Sequence, residues 1–299
     1  MRFSEKEMKR LLSIQDISCF GRCSQTAALP IISALGIETV ILPTAVLSTH
    51  TGGKFSGFTF HSLGDEMDKI ICHWRKIGLK FDAIYAGYIG TVEQVRKVCA
   101  LIDEFADNDT IVYIDPAMAD NGELYSGLDS DYVMSVRELC SQADIISPNM
   151  SEAMLLADGK CSCDFSKENA KRLIPKLCGI ADKLIVTGIH SGDNILTLGV
   201  GKNTKTVKSS KIIEGMFYGT GDVFASSSIG SYLDGLSFEE AIAFAEDFVQ
   251  ECIMNTLSER EKYWYGINYE KCLGTLTDFY KKAIRNDIPL GSESLNKHF

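Results

Sequence analysis

The sequence lacks the marks of several common protein classes. Its 299 residues hold 30 basic and 40 acidic side chains, a formal charge of −10, and no long cluster of Lys and Arg. Such a balance argues against nucleic acid as a partner. No secretory signal pattern opens the chain, and its first apolar stretch, Leu11–Ile17, is too short to span a bilayer. We therefore expect neither a nucleic-acid nor a membrane partner.

The ten cysteines lack the spacing of a zinc site. No CxxC pair occurs, and Cys161 and Cys163 form the one close pair, with no histidine nearby. Structural zinc sites need four such ligands in a recognisable pattern. So many cysteines without a signal peptide suggest reduced thiols and a cytoplasmic protein.

The familiar nucleotide-binding and hydrolase signatures are also missing. The chain has no GxxxxGK[ST] loop, no GxGxxG turn, no His-Arg-Asp or Asp-Phe-Gly of protein kinases, and no serine nucleophile elbow. A bound nucleotide would therefore be held by local backbone amides, a metal ion and a few cations.

Short β-type runs alternate with longer helical patterns along the chain. Strands rich in Ile and Val in this rhythm predict a mostly parallel sheet with helices on both faces, and no linker divides the chain. We predict one α/β domain over 1–299, with polar tails at about 1–8 and 286–299. Segments 195–200 and 204–209 are predicted to form a hairpin of edge strands.

Polar residues follow one predicted strand after another. In such sheets ligands bind beyond the carboxyl ends of the strands, so these residues are expected to share one site. They are Asp16, the stretch 49–53, Gly87 and Tyr88, Asp115 and Asp120, Asn149 and Glu152, and Thr187 and Gly188.

The most informative segment is Gly219-Thr220-Gly221-Asp222, which opens a predicted helix. Glycines let backbone N–H groups approach an anion, and the helix amino terminus adds positive potential. An acid in the first turn stands where a general base is needed beside a bound phosphate. We expect the helix dipole to keep Asp222 ionised. The simpler interpretation is a helix start with an acidic residue near its cap.

In this order and spacing, these motifs resemble the ribokinase-like superfamily and, within it, the pyridoxal kinases. The similarity runs from about Lys9 to Ala283 and includes Ser-Ile-Gln at 13–15, His-Thr-Gly at 50–52, Asp-Pro-Ala-Met-Ala-Asp-Asn-Gly at 115–122 and Pro-Asn-Met-Ser-Glu at 148–152. The resemblance implies a ribokinase-like fold and ATP-dependent phosphorylation of the 5′-hydroxymethyl group of pyridoxal, pyridoxamine or pyridoxine. It also implies Mg²⁺, often with K⁺ or Na⁺, and a homodimer.

The resemblance assigns catalytic roles to the helix start. Asp222 is implied to be the base for the substrate hydroxyl, and the amides of Gly219, Thr220 and Gly221 to form the anion hole. The pyridine pocket is assigned to His50, Thr51 and Tyr88. A histidine satisfied within its own loop is the simpler interpretation of His50.

The resemblance also implies sites for the metal ion and the nucleotide. Asp115, Asp120 and Glu152 are assigned to the metal. The nucleotide is assigned to Asp120, Tyr125, Asn149, Thr187, Gly188 and Gly221, with Ile213 and Phe217 as candidates for the adenine slot. Simpler interpretations are a turn-former for Asp115 and an N-cap for Asn149.

Three positions depart from the family pattern. Asp16 stands where many members have a serine that contacts the pyridine ring, and we interpret it as a partner for a protonated ring nitrogen. A turn or cap residue without ligand contact is the alternative. Ala119 replaces a glycine, and Gly188 replaces a residue that is often Ser or Thr, which puts one nucleotide contact in doubt.

Two other functions remain open at this point. One is a related kinase for hydroxymethylpyrimidine, whose ring also carries a CH₂OH group. The other is a vitamin-binding protein without catalysis, although binding alone does not require a base at an anion hole. A sugar kinase fits the pocket residues less well.

Overall fold

The computed structural model describes residues 8–52 and 54–284, so almost all of both predicted tails, residues 1–7 and 286–299, lies outside the described residues. Within them the strands are β1 (Arg10–Phe20), β2 (Glu38–Thr49), β3 (Phe60–Ser62), β4 (Ala83–Ala86), β5 (Ile111–Ile114), β6 (Ala119–Asp120), β7 (Glu123–Leu124), β8 (Ile145–Ile146), β9 (Lys183–Ser191), β10 (Asn194–Val200) and β11 (Lys205–Lys211).

The same residues also form helices. They are α1 (Gln25–Ala34), α2 (Gly64–Ile77), α3 (Val92–Phe105), α4 (Ser130–Cys140), α5 (Met150–Asp158), α6 (Lys167–Leu177), α7 (Thr220–Leu233), α8 (Phe238–Leu257) and α9 (Leu273–Ile284). No helix of this part is both long and apolar enough to cross a membrane.

Nine strands form one sheet in the order β11-β10-β9-β8-β5-β4-β1-β2-β3. The strands from β9 to β2 are parallel to one another, and antiparallel strands extend both sides. The predicted mostly parallel sheet is confirmed. The prediction that both hairpin strands are edge strands is wrong for β10, because β9 continues to Ser191 and pairs with it.

Helices cover both faces of the sheet, as predicted. Leu12 and Ile14 of β1 point into a core with residues of α2 to α6, whereas Leu11 points into a second core with residues of α1, α7, α8 and α9. This alternation is the period-2 pattern of a strand buried on both sides.

The parallel register brings the predicted site residues to one edge of the sheet. Ile14 pairs with Ala86, Ala86 with Ile114, and Ile114 with Ile146, so the strands end nearly level. The loops after β1, β4, β5 and β8 therefore lie side by side. A register shift between Gln15 and Ile17 places Asp16 at an irregular point of β1.

Candidate active site

The start of α7 has the backbone shape expected of an anion cradle. Gly219 adopts a left-handed φ of 83°, and a Cβ there would lie 2.0 Å from the carbonyl oxygen of Arg22. A Cβ on Gly221 would meet no described atom within 4 Å, so this glycine borders open space. No described side chain caps α7. Its first-turn amides are therefore available to an anion.

Asp222 lies in the first turn of α7 and is half-buried. Burial raises the pKa of its carboxyl to about 7, and the negative charge of Asp16 adds to this, whereas the Ser24 amide lowers it. Desolvation therefore opposes the helix dipole that we expect to keep Asp222 ionised. A carboxyl that titrates near neutrality is suited to general-base work.

Two further carboxyls, those of Asp115 and Glu152, interact electrostatically with this region. Burial and the charge of Asp222 raise the pKa of Asp115, and burial and the charge of Asp115 raise the pKa of Glu152. Tyr125 lies among these groups, since its hydroxyl pKa is raised by burial and by Glu152, Asp120, Asp115 and Asp222. The structure thus brings four of the predicted acidic residues around one aromatic ring.

Asn149 and Glu152 form a capping box at the start of α5. The Asn149 Oδ1 accepts a hydrogen bond from the Glu152 amide at 3.0 Å, and Glu152 Oε2 accepts one from the Asn149 amide at 2.8 Å. Glu152 Oε1 also accepts from the Met118 amide at 3.2 Å, and Asn149 Nδ2 donates to the Ala119 carbonyl at 2.8 Å. Both side chains therefore hold the loop that carries Asp120 against α5.

Asp120 is exposed at the turn between β6 and β7, a small hairpin that the sequence did not reveal. Its carboxylate accepts hydrogen bonds from the Asn121 amide at 2.8 Å and from Asn121 Nδ2 at 3.0 Å. Asn121 and Gly122 adopt left-handed φ values of 52° and 81°, which turn the chain sharply. The carboxylate is thus held at the surface beside the buried acidic groups.

These carboxyls fit a magnesium site by their chemistry. Mg²⁺ takes oxygen ligands and usually binds through one or two carboxylates, with waters and phosphates completing its shell. Within the described residues no three acidic, histidine or cysteine side chains already form a metal-binding group. Burial without a positive partner raises the pKa of Asp115 and Glu152, and a cation there would reverse that effect.

The predicted substrate pocket gathers around Asp16. Asp16 Oδ2 accepts a hydrogen bond from Ser18 Oγ at 2.8 Å, and burial raises its pKa. Burial and, after it, the charge of Asp16 raise the pKa of Tyr88, and His50 is among the groups that oppose the burial effect on Asp16, so the three residues lie near one another. Thr51 lies exposed at the bend after His50.

Both ring nitrogens of His50 are engaged within the protein. Nδ1 accepts from the Gly52 amide at 3.1 Å, so Nε2 carries the proton and donates to the Tyr265 carbonyl at 2.7 Å. Burial lowers the pKa of His50, and its ring lies 4.9 Å from that of Phe55 and 5.2 Å from that of Tyr218. The simpler interpretation, a satisfied loop histidine, describes this conformation.

The remaining nucleotide candidates divide into two groups. Thr187 donates its amide to the Pro148 carbonyl at 3.1 Å and bridges to Asn149, so it lies beside the acidic groups. Gly188 follows with a left-handed φ of 76°. Ile213 and Phe217 lie on the segment between β11 and α7. Phe217 packs against the core beneath α7 and α8, which leaves less of its ring for an adenine slot.

Sequence reasoning missed the turn between β1 and α1. Arg22 is buried there, with Nε 2.8 Å from Glu270 Oε1 and an NH1 hydrogen bond of 3.1 Å to the Gly266 carbonyl. Ser24 adopts a φ of 53°, which no local pattern around it indicates. A separate cleft of about 540 Å³ lies near the start of α6, and none of the predicted site residues line it.

Comparisons with known proteins show the family of this chain. A family model described as phosphomethylpyrimidine kinase matches residues 27–265. A Bacteroides thetaiotaomicron protein assigned to these kinases and crystallised with pyridoxal is 32% identical, with a TM-score of 0.86 over 96% of this chain and 99% of that one. The Lactobacillus plantarum pyridoxal kinase is 25% identical, with a TM-score of 0.85 over 92% of this chain and 99% of that one.

A curated relative supports the same assignment. Pyridoxal kinase of Ovis aries is 28% identical over 249 residues, which are 74% of this chain and 76% of the sheep protein. The resemblance to pyridoxal kinases and the predicted ribokinase-like fold are thereby confirmed. The chain belongs to the phosphomethylpyrimidine kinase family, a family of kinases that has pyridoxal kinases among its relatives.

Proposed function

We propose that this protein transfers the γ-phosphoryl group of ATP to the 5′-hydroxymethyl group of pyridoxal, pyridoxine or pyridoxamine. The observation that carries the proposal is the position of Asp222, whose carboxyl has a pKa of about 7 at the open, glycine-lined start of α7. A protein that only binds a vitamin needs no such base beside available helix amides.

The proposed reaction needs one proton transfer and one phosphoryl transfer. Asp222 takes the proton of the substrate hydroxyl, whose oxygen bonds to the γ-phosphorus while the bond to the ADP oxygen breaks. The amides of Gly219, Thr220 and Gly221 stabilise the charge that develops on the transferred group. Removal of a general base typically lowers the rate by about 10²–10⁴-fold.

The carboxyls of Asp115, Asp120 and Glu152 supply the metal ligands in this proposal. Asp115 and Asp120 would hold Mg²⁺, and Glu152, whose two oxygens already accept backbone amides, would act through the water shell. Bound there, the ion would neutralise charge on the β- and γ-phosphates. Tyr125, Asn149, Thr187 and Gly188 would border the triphosphate.

The substrate ring is proposed to lie against Asp16 and Tyr88. A pyridine nitrogen that binds a proton would form an ion pair with Asp16, which offsets the burial that raises the pKa of that carboxyl. Tyr88 offers an aromatic face and a hydroxyl in the same pocket. His50 and Thr51 would close its outer side, with the His50 ring held by Gly52 and Tyr265.

Hydroxymethylpyrimidine remains the second candidate substrate. The matched family and the Bacteroides relative are both described by a phosphomethylpyrimidine kinase activity, and a pyrimidine ring also offers a nitrogen to Asp16. The crystal of that relative nevertheless contains pyridoxal, which favours the B6 vitamers.

The test is ADP release by the purified protein with Mg²⁺-ATP and each of pyridoxal, pyridoxine, pyridoxamine and hydroxymethylpyrimidine. We expect the highest kcat/KM for a B6 vitamer. Asp222→Asn should bind vitamer and lose about 10²–10⁴-fold in kcat. Asp65→Asn is the matched control, since Asp65 also lies in the first turn of a helix but is exposed. Vitamer binding without ADP release would show a binding protein instead.

The homodimer implied by the resemblance and the cytoplasmic location suggested by the cysteine content are both part of the proposal. Size-exclusion chromatography with light scattering tests the first. A mass near that of one 33.0 kDa chain at micromolar concentration would contradict it.

A further inference from the structure

We propose that His50 is a positioning residue that holds the backbone in front of the anion cradle, where Tyr218 leads into Gly219. It does so by joining that backbone to the loop after β2 and to the segment 263–267. The inference rests on the proposed function, because it gives His50 a role in the same site. The imidazole makes no hydrogen bond to the substrate in this proposal and acts on the reaction through Tyr218.

The polar atoms of His50 are fully used inside the protein. Nδ1 accepts the hydrogen bond of the Gly52 amide at 3.1 Å, and Nε2 donates to the Tyr265 carbonyl at 2.7 Å. A neutral imidazole has one donor and one acceptor, so neither is left for a ligand. The residue is also only 6% exposed. A substrate could form a hydrogen bond with His50 only if one of these two bonds broke.

The imidazole ring is enclosed on its other sides. A Cβ on Gly21 would lie 2.4 Å from Cδ2 of His50, and Gly21 has a φ of 125°, so the chain after β1 approaches the ring as only glycine can. The Phe55 ring stands edge-on at 4.9 Å, and the Tyr218 ring lies tilted at 5.2 Å. A Cβ on Gly52 would lie 3.0 Å from the Tyr218 ring. His50 therefore occupies the point where four segments of the chain meet.

Tyr218 connects these contacts to the anion cradle, because it directly precedes Gly219. The Tyr218 ring packs against His50, and the Tyr218 carbonyl accepts a hydrogen bond from the Ile267 amide at 3.0 Å. Ile267 lies two residues after Tyr265, whose carbonyl binds the imidazole. The contacts thus form a closed chain from His50 through Tyr265 and Ile267 to Tyr218 and back to His50.

The backbone that accepts the imidazole hydrogen bond is held by other contacts as well. The Tyr265 ring packs against Phe20 at 4.6 Å, and the Arg22 guanidinium lies 5.3 Å from the same ring centre. Trp264 packs against Phe55 at 4.7 Å. This side of the closed chain therefore stays in place without the imidazole. Loss of the imidazole is expected to release the other side, which is the backbone in front of the anion cradle.

This arrangement predicts a kinetic effect that separates positioning from ligand contact. The amides of an anion hole stabilise the charge that develops in the transition state only when they are placed accurately, so their displacement lowers kcat. Loss of a side chain that hydrogen-bonds to the bound vitamer would instead raise the KM of the vitamer. A residue needed for stability alone would change neither constant in the folded protein.

The first test compares the kinetics of His50→Phe and His50→Gln. Phenylalanine keeps an aromatic ring and loses both hydrogen bonds, whereas glutamine keeps a side-chain N–H donor in place of Nε2. We expect kcat to fall about 10–100-fold in His50→Phe and less in His50→Gln, with the vitamer KM within about threefold of the wild-type value. His190→Phe is the matched control, since His190 also has an edge-on ring, Phe165 at 5.6 Å, but is exposed. An unchanged kcat in both His50 variants overturns the proposal, whatever the KM.

The second test needs neither substrate nor catalysis. Hydrogen exchange of the Ile267 amide, which bonds to the Tyr218 carbonyl, is followed by NMR in ¹⁵N-labelled protein. In His50→Phe we expect this exchange to be about tenfold faster and the amide signals of residues 219–221 to shift, with neither change in His190→Phe. His50→Gln, with smaller changes in the same direction, serves if His50→Phe folds poorly. Exchange and amide signals equal to those of the wild-type protein overturn the proposal. If the wild-type protein phosphorylates no vitamer, the proposed function fails while this measurement still decides the role of His50.

Discussion

Gly219 and Arg22 are in direct backbone contact at the site, and this contact leaves no room for a side chain on Gly219. Because the residue also has a φ of 83°, Gly219→Ala suffers both left-handed strain and a clash with a carbonyl oxygen. We expect kcat to fall about 10²-fold or more, since displaced amides no longer meet the developing charge.

The control is Gly78→Ala, at the left-handed C-cap of α2, where a Cβ would meet no described atom within 4 Å. It should cost about 1–2 kcal/mol of stability and leave kcat intact. Denaturant unfolding and ADP release measure the two effects. Equal kcat values for both variants would contradict the role given to Gly219.

Gly221→Ala should separate stability from activity. Gly221 lies within α7 with no positive φ, and a methyl group there would enter open space. Alanine should therefore stabilise the free protein by about 0.5–1 kcal/mol. The same methyl would crowd the phosphate of ATP, so KM for ATP should rise or kcat fall. A more stable variant with unchanged kinetics would place the phosphate elsewhere.

The stability of the nucleotide-free protein should fall as pH rises from about 4 to 8. Burial raises the pKa of Asp115 and brings that of Asp222 to about 7, so the folded state binds more protons than the unfolded chain in this range. The contribution of these two carboxyls to stability is therefore greatest below their pKa in the unfolded chain. It is lost as pH rises through their pKa in the folded protein. Asp115→Asn should flatten this profile and stabilise the protein at pH 8.

Thermal unfolding across this pH range, with and without Mg²⁺-ATP, provides the measurement. Ligand should restore stability at pH 8 in the wild-type protein more than in Asp115→Asn. Profiles of the same slope for the wild-type protein and Asp115→Asn would contradict the cost of ionisation given to Asp115.

The acid limb of kcat/KM should report Asp222. Only its ionised form can take the substrate proton, so the rate should rise with pH and level off above about 7. The pKa of about 7 belongs to the free enzyme, and the pH dependence of kcat/KM reports the pKa values of the free enzyme. The profile is measured from pH 5 to 9 with Mg²⁺-ATP and the vitamer both well below their KM values, so that the free enzyme is the species reported. A rate independent of pH over this range would exclude Asp222 as the base.

Arg22 should contribute to stability mainly through its buried hydrogen bonds. Its side chain is 10% exposed, and its guanidinium lies 4.5 Å from the Tyr263 ring centre and donates to the Gly266 carbonyl. Arg22→Ala should destabilise the protein by about 1–3 kcal/mol, because a buried acceptor and an aromatic face lose their partner. Glu270→Gln is the control, since Glu270 is 47% exposed and should cost about 1 kcal/mol or less. Equal losses from both variants would contradict this division.

Local patterns were sufficient for most of the helices and strands. The sequence predicts helices over 92–105, 167–177 and 238–257 and a strand over 83–86, from a period of 3.6 or a short apolar run bounded by turn residues. These limits match α3, α6, α8 and β4. The hairpin of β6 and β7 was missed because two-residue strands carry no period.

The sequence by itself determined the βα rhythm, the glycine-rich start of α7 and the acidic residues after successive strands, since these depend on local periodicity and residue type. Tertiary structure decided which atoms remain available to a ligand. It engaged both nitrogens of His50 and both oxygens of Glu152, and it gave Ser24 a positive φ of 53°. The reason is that burial and hydrogen-bond partners come from segments far apart in the chain, and no local pattern records their distances.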